Sequence, residues 1–224
     1  MSPDFPSVFY LANAGLYLTD HRTGILVDGL FDPHEGFDSL PESITAAIIK
    51  KESPFNSLTT LLFTHTHPDH YSPEKVTSFL RLYPDTTLLL PEIPPFGGLY
   101  PIPCRHLLDR GKIVPHCSFF LKYAGRNFFF SGDADPVWLN RNISPELLMG
   151  FQSKIHMAFV NPFFFFLTPG RRFLAGLNPE QIYVYHMPVR VPDLMRYHEI
   201  LEQGLSKYPD KTVKPLLKFM CKLQ

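Results

Sequence analysis

Short apolar runs separated by turn residues fill the first thirty positions: Val8 to Ala12, Leu16 to Leu18 and Ile25 to Asp28. Asn13-Ala14-Gly15 and His21 to Gly24 stand between them, so the pattern predicts strands in an antiparallel meander. From Pro41 to Lys51 the period lengthens. Ile44, Ala47 and Ile48 share one face of a helix that Pro41 is suited to start. Thr59 to Phe63 reads as a buried strand, Pro73 to Leu82 as a helix with Val76, Phe79 and Leu80 inward, and Thr86 to Leu90 as another strand. Pro91 to Pro103, with Gly97-Gly98, has turn composition and reads as the mid-chain connection.

The second half repeats the order. Strands are predicted around Ile113, at Phe119 to Tyr123 and at Asn127 to Phe130, with Gly125 marking a hairpin turn. Helices follow at Asp135 to Asn140 and Pro145 to Gly150, then strands at Met157 to Val160 and Ile182 to Tyr185, then a helix from Pro192 to Lys207. Strands flanked by helices in this order predict an α/β (α+β) fold with two sheets packed face to face and helices outside. A chain of 224 residues, 45% of them apolar, can bury one large core, so residues 1–224 are expected to form a single domain.

Composition narrows the partners. Formal charge is zero and the pI is near 7.2, which removes any chain-wide attraction to nucleic acid or a membrane surface. Cys104, Cys117 and Cys221 have no paired metal or redox spacing, and the odd count argues against a disulfide framework, so a reducing cytoplasm is the expected compartment. The first residues lack the basic and apolar regions of a signal peptide, and no run reaches membrane-spanning length.

The chemistry gathers at predicted strand ends. His65-Thr66-His67-Pro68-Asp69-His70 follows the Leu61, Leu62, Phe63 run, where a tight loop can aim several imidazoles and a carboxylate at one point. His116 stands just before the Phe119 strand, Asp133 follows Phe128 to Phe130 in Ser131-Gly132-Asp133, and His186 follows Ile182 to Tyr185. His21, His34, His106, His156 and His198 lack such support. His34, in the loop after Asp28, reads as solvated more readily than as overhanging a site, and Asp135 reads as a helix cap.

This chain resembles the metallo-beta-lactamase-fold hydrolase superfamily. Its HxHxDH motif matches His65, His67, Asp69 and His70, its next histidine His116, its Gly-Asp motif Gly132-Asp133, and its last histidine His186. Ile25-Leu26-Val27-Asp28 resembles the early strand-plus-Asp motif that supports the histidine loop. The resemblance implies a four-layer αββα sandwich with two divalent ions. His65, His67 and His116 would hold one, Asp69, His70 and His186 the other, and Asp133 would bridge them. Imidazoles and carboxylates suit Zn(II), with Mn(II) and Fe(II) as alternatives. Such a pair of ions activates water and polarises a scissile bond, and Asp69 can orient the nucleophile or carry its proton.

Other residues keep two readings. Cys117, beside His116 on a strand, points away from it and reads as a buried thiol. Phe163 to Phe166 is either a core strand or packed loop, or an apolar wall for the substrate. Tyr71 and Arg190 are either surface residues or holders of a substrate oxyanion. FFFSGDADP followed by VYHMP is most similar to the branch related to ascorbate-6-phosphate lactonase. The expectation is a hydrolase acting on an ester, lactone, amide or phosphoester bond of a small molecule. A phosphodiesterase or ribonuclease of the same fold, a di-iron oxidoreductase and a non-catalytic metal-binding protein are the alternatives.

Overall fold

A computed structural model describes residues 5–92, 94–95, 97–107, 114–143, 154–189, 194–206, 212–216 and 221–223. The amino-terminal meander is present as β1 (Ser7–Tyr10), β2 (Leu16–Thr19) and β3 (Gly24–Val27). Helix α1 (Glu42–Ile49), β4 (Leu58–Leu62), α2 (Pro73–Leu82) and β5 (Thr87–Leu89) follow. Ser72 caps α2 by accepting the Lys75 N–H, and Pro73 sits at its first turn, where a missing donor costs nothing.

The second half comprises β6 (Leu99–Pro103), β7 (Cys117–Tyr123), β8 (Arg126–Phe130), α3 (Pro136–Asn142), β9 (Met157–Val160), α4 (Phe163–Phe166), α5 (Thr168–Leu177), β10 (Gln181–Val184), α6 (Leu194–Leu205), β11 (Thr212–Pro215) and β12 (Cys221–Leu223). Asp135 caps α3 through its carboxylate and the Val137 N–H, as its position predicts.

Five elements differ from expectation. The proline-rich stretch hides β6, whose Pro101 and Pro103 are tolerated because, among the described residues, β6 is the edge of its sheet and pairs only with β7. The four consecutive phenylalanines form the short helix α4, not a strand, with Phe164 and Phe165 in the core. Helix α5 and the late strands β11 and β12 were not predicted at all. The predicted strand around Ile113 and helix Pro145 to Gly150 lie outside the described residues, as does the end of the helix expected to reach Lys207.

Among the described residues each sheet has six strands, in the orders β12-β1-β2-β3-β4-β5 and β11-β10-β9-β8-β7-β6. Alternation along the strands assigns the faces. Val8, Leu16, Leu18 and Val27 of one sheet meet Phe119, Leu121, Phe128, Phe130, Phe159 and Tyr183 of the other. The intervening residues Phe9, Tyr17, Leu26 and Leu61 face α1 and α2, while Phe120, Phe129, Ala158 and Ile182 face α3 to α6. The abundant phenylalanine is therefore structural. Phe128, Phe130, Phe159 and Tyr183 form an aromatic row between the sheets, with successive centroids 6.2, 5.4 and 5.2 Å apart.

Strand direction decides where chemistry can gather. β3, β4 and β5 run parallel, as do β8, β9 and β10, and β1 and β6 reach the same sense through two antiparallel steps. Within each sheet, the segments after β1, β3 and β4 and those after β6, β8 and β10 thus leave at a common end. Every residue of the cluster described next lies on one of those segments.

Candidate metal centre

Asp28 organises the histidine loop. It ends β3 at φ +45 and is fully buried. Its Oδ1 accepts the Thr64 N–H at 2.8 Å, and its Oδ2 accepts the Thr64 hydroxyl at 2.7 Å and His70 Nδ1 at 3.0 Å. Because the Thr64 hydroxyl gives its proton to Asp28, it accepts from His65 Nδ1, 3.1 Å away. Both rings thereby keep a proton on Nδ1 and turn Nε2 inward. His65 Nε2, His70 Nε2 and Asp133 Oδ1 are buried without a hydrogen-bond partner. Buried polar atoms are rarely left so, and a cation between them supplies the missing partner.

The opposite sheet completes the cluster. Gly132 turns at φ +52, and a Cβ there would stand 2.7 Å from both His116 Nε2 and Thr64 Cβ, so only glycine fits. The Gly132 N–H donates to the Tyr185 hydroxyl at 2.7 Å, and the Asn161 amide donates to the carbonyls of Gly132 and Ala134, each at 3.1 Å. Asp133 then reaches both sides. Its Oδ1 lies 3.4 Å from His70 Nε2 and 3.3 Å from His186 Nε2, and its Oδ2 lies 3.5 Å from His106 Nε2. Asp69 Oδ2 is 3.2 Å from His186 Nε2.

His106 is the residue that sequence reasoning missed. Its Nδ1 donates to the Leu107 carbonyl at 2.6 Å, which leaves Nε2 bare, 3.1 Å from His67 Nδ1. The Leu107 N–H to Asp133 carbonyl bond and the bridge between His106 and Ala134 hold this segment against the Asp133 turn. Two donor groups result, His65, His67 and His106 in one and Asp69, His70, Asp133 and His186 in the other. Within each, all ligand atoms lie within 4.8 Å of one another. A carboxylate turned toward both groups, imidazoles with bare nitrogens and orphaned atoms between them fit a pair of divalent ions.

The two groups differ electrostatically. Burial holds His65 well below its ordinary pKa, reinforced by the nearby His70, and burial followed by His106 lowers His67. In the second group burial works against charge but loses. The Asp133 and Asp28 carboxylates hold His70 well above its ordinary value, and Asp133 and Asp69 bring His186 up to about 9. Burial alone would raise both acids. His186 and His70 instead hold Asp69 at about 2 and Asp133 well below the usual carboxylate range.

Six of the seven expected ligands, His65, His67, Asp69, His70, Asp133 and His186, therefore converge. His116 stands apart. Among the described residues it joins neither donor group, because its Nε2 accepts the Asp133 N–H at 2.9 Å and its Nδ1 faces Cys104 Sγ at 3.1 Å. Burial brings the ring down to about 3, so it is neutral. Tyr71 also turns away: it bridges to Leu30 and its ring packs edge-on against Phe63, on the helix side of the first sheet. Phe163 opens α4 with its ring 5.5 Å from that of Phe166, and its N–H donates to Asn161 Oδ1. Arg190 lies outside the described residues. Cys117 is buried between the sheets, and His34 is exposed. Phe37, not singled out in the sequence, meets the His186 ring edge-on at 4.3 Å. Its loop is tied to both ligand loops through Asp32 N–H to Pro68 O and Val189 N–H to Gly36 O.

Two six-stranded sheets face to face, helices outside, and a His/Asp cluster at the strand ends define the metallo-β-lactamase fold, and solved structures bear this out. The chain is similar to a possible metal-dependent hydrolase from Veillonella parvula, with a TM-score of 0.65, 13% identity and 98% of each chain covered. It is likewise similar to the metallo-beta-lactamase fold protein YhfI from Bacillus subtilis, with a TM-score of 0.63, 10% identity, and 99% of this chain and 100% of that one covered. A third similarity, at 16% identity and a TM-score of 0.61, is to CmlA, a diiron beta-hydroxylase from Streptomyces venezuelae. All of this chain is covered there but 55% of CmlA, so the chain spans about half of that protein. No protein-family profile and no curated protein sequence matches the chain.

Proposed function

We propose that the protein is a metal-dependent hydrolase that cleaves an ester, lactone, amide or phosphoester bond of a small molecule at a dinuclear centre. The observation that carries this reading is the pair of donor groups with Asp133 turned toward both, and with His65 Nε2, His70 Nε2 and Asp133 Oδ1 buried without a hydrogen bond. His65, His67 and His106 would hold one ion, Asp69, His70 and His186 the other, and Asp133 would offer one oxygen to each. His106 thus takes the place that the sequence assigned to His116. Ions bound there supply Lewis acidity and activate water near neutral pH.

The chain's own groups set the rest. Asp28, Thr64 and the Leu107 carbonyl hold protons on the outer nitrogens of His70, His65 and His106, so the inner ones face the site. Asp69 is placed to orient the attacking water or accept its proton, and Phe37 covers one side of His186. Zn(II) fits this donor set best, with Mn(II) and Fe(II) next. Cys104, Cys117 and Cys221 form no disulfide, which suits a reducing compartment such as the cytoplasm. Among the described residues no helix is long and apolar enough to cross a membrane.

Hydrolysis across esters, lactones, amides and phosphodiesters, with metal content measured before and after chelation, tests the proposal. Turnover of at least one class that disappears with the metal and returns on reloading is expected. A fully loaded protein inactive on every class would overturn it. The similarity to a diiron hydroxylase supports a second reading, iron-dependent oxidation. Iron as the metal retained after anaerobic purification, with oxygen consumed upon turnover, would favour it.

A further inference from the structure

His116 is buried beneath the cluster with both ring nitrogens engaged. The Asp133 N–H can only donate, so Nε2, 2.9 Å away, accepts and the ring proton stays on Nδ1. That proton faces Cys104 Sγ at 3.1 Å. Cys104 Sγ lies 3.4 Å from Ser118 Oγ, and the Ser118 hydroxyl donates to the Ser131 carbonyl at 2.9 Å. The donors form a consistent series: Asp133 N–H to His116, His116 Nδ1–H to Cys104, Cys104 S–H to Ser118, Ser118 O–H to Ser131. It starts and ends on one three-residue turn, Ser131-Gly132-Asp133. His116, Ser118 and Ser131 are all buried, so water does not compete for these bonds.

We propose that His116, acting with Cys104 and Ser118, is a positioning residue that brackets the Ser131-Gly132-Asp133 turn and so holds the Asp133 carboxylate between the two donor groups. The inference rests on the reading of those groups as a dinuclear centre. The Asp133 backbone is set from below by His116 and from the side by the Leu107 N–H, which donates to the Asp133 carbonyl at 2.7 Å. With the peptide fixed at both ends, the carboxylate has little freedom left to turn away from either group. Groups of this kind, one bond behind the metal ligands, typically change metal affinity by about 10- to 100-fold without changing how many ions bind.

The test uses Co(II) and Zn(II) titrations of the purified protein and of His116→Ala, His116→Gln, His116→Asn and His106→Ala, with circular dichroism as the control for folding. His116→Ala should still bind two equivalents at saturating metal and keep the visible Co(II) spectrum, with affinity weaker by about tenfold. In His116→Gln the amide oxygen can reach the position of Nε2 and accept the Asp133 N–H, so affinity should return to within a few-fold of the parent. Asn is one methylene shorter and should not restore it. His106→Ala should lose one equivalent. Loss of one equivalent in both His116→Ala and His116→Gln would make His116 a ligand and overturn the proposal, and so would unchanged affinity in His116→Ala. Nitrogen NMR of the metal-free parent reads His116 separately. An Nδ1–H tautomer whose proton becomes exchange-labile in Cys104→Ala supports the series, and an Nε2–H tautomer overturns it. A parent chain that binds no metal would sink the proposed function instead, leaving the tautomer result to decide the role of His116.

Discussion

The two donor groups sit side by side yet answer different demands. His65, His67 and His106 carry no carboxylate of their own, and burial keeps His65 and His67 neutral, ready for a cation. Asp69, His70, Asp133 and His186 form a balanced set of two acids and two raised histidines, which must give up protons before a cation can enter. The first group is open to metal at any pH near neutrality. The second trades protons for metal, and Asp133 couples them. Two neighbouring sites in one protein thus differ in proton demand because of where the carboxylates stand.

Removing the coupling residue should have the largest effect. Asp133→Ala takes an oxygen from each group and should abolish tight retention of both ions, with turnover falling roughly a thousandfold. Metal analysis after desalting reads this, and retention of one ion at full affinity would show that the groups are independent. Asp28→Ala comes next. It strands the Thr64 N–H and hydroxyl and His70 Nδ1–H in a buried site, which should cost about 3 kcal/mol in chemical denaturation and release the rings of His65 and His70. A loss below about 1 kcal/mol would mean that water replaces Asp28 there.

The pH dependence of the metal-free protein separates the groups directly. His70 and His186 are raised, so their contribution to stability is fully present below the ordinary value of 6.5 and is lost as pH climbs through about 9 for His186. Asp69 is depressed, so its contribution is present above 3.8 and is lost as pH falls through about 2. His65, His67 and His116 are held low by burial, so their contribution is present above 6.5 and is lost as pH falls below it. Thermal melts should therefore peak near pH 6.5 and decline on either side. Metal titrations should show the opposite trend for one of two binding events, tightening with pH as protons leave His70 and His186, while the other stays nearly flat. Two events of equal pH slope would erase the distinction. The smallest effect belongs to Phe37→Ala. Loss of its edge-on contact with His186 should cost about 1 kcal/mol or less of stability and shift KM more than metal content.

How much of this was legible follows from where the residues lie. The histidine loop could be read directly because its four ligands are nearly consecutive and follow an apolar strand. Asp133 and His186 obeyed the same strand-end logic, which holds because β4, β8 and β10 all release the chain where ligands gather. His106 obeys it too, three residues after β6. Its strand was invisible because Pro101 and Pro103 look like loop residues, and only position at a sheet edge makes them acceptable in a strand. The sequence offered His116 for that place, since nothing in a sequence tells which nitrogen of a buried ring is already occupied. For Tyr71, adjacency to His70 does not fix direction, and the bridge to Leu30 turns it toward Phe63. Helix α5 went unread although Pro169 stands in its first turn and Asn178 closes it at φ +49, because the four phenylalanines before it suggested extended core.

Anomalous diffraction from crystals grown with Zn(II), recorded on either side of the zinc edge, tests the central claim most directly. The account predicts two peaks, one bonded by His65, His67 and His106 and the other by Asp69, His70 and His186, with an oxygen of Asp133 on each. A single peak, or a first ion bonded to His116 with His106 turned away, would contradict it.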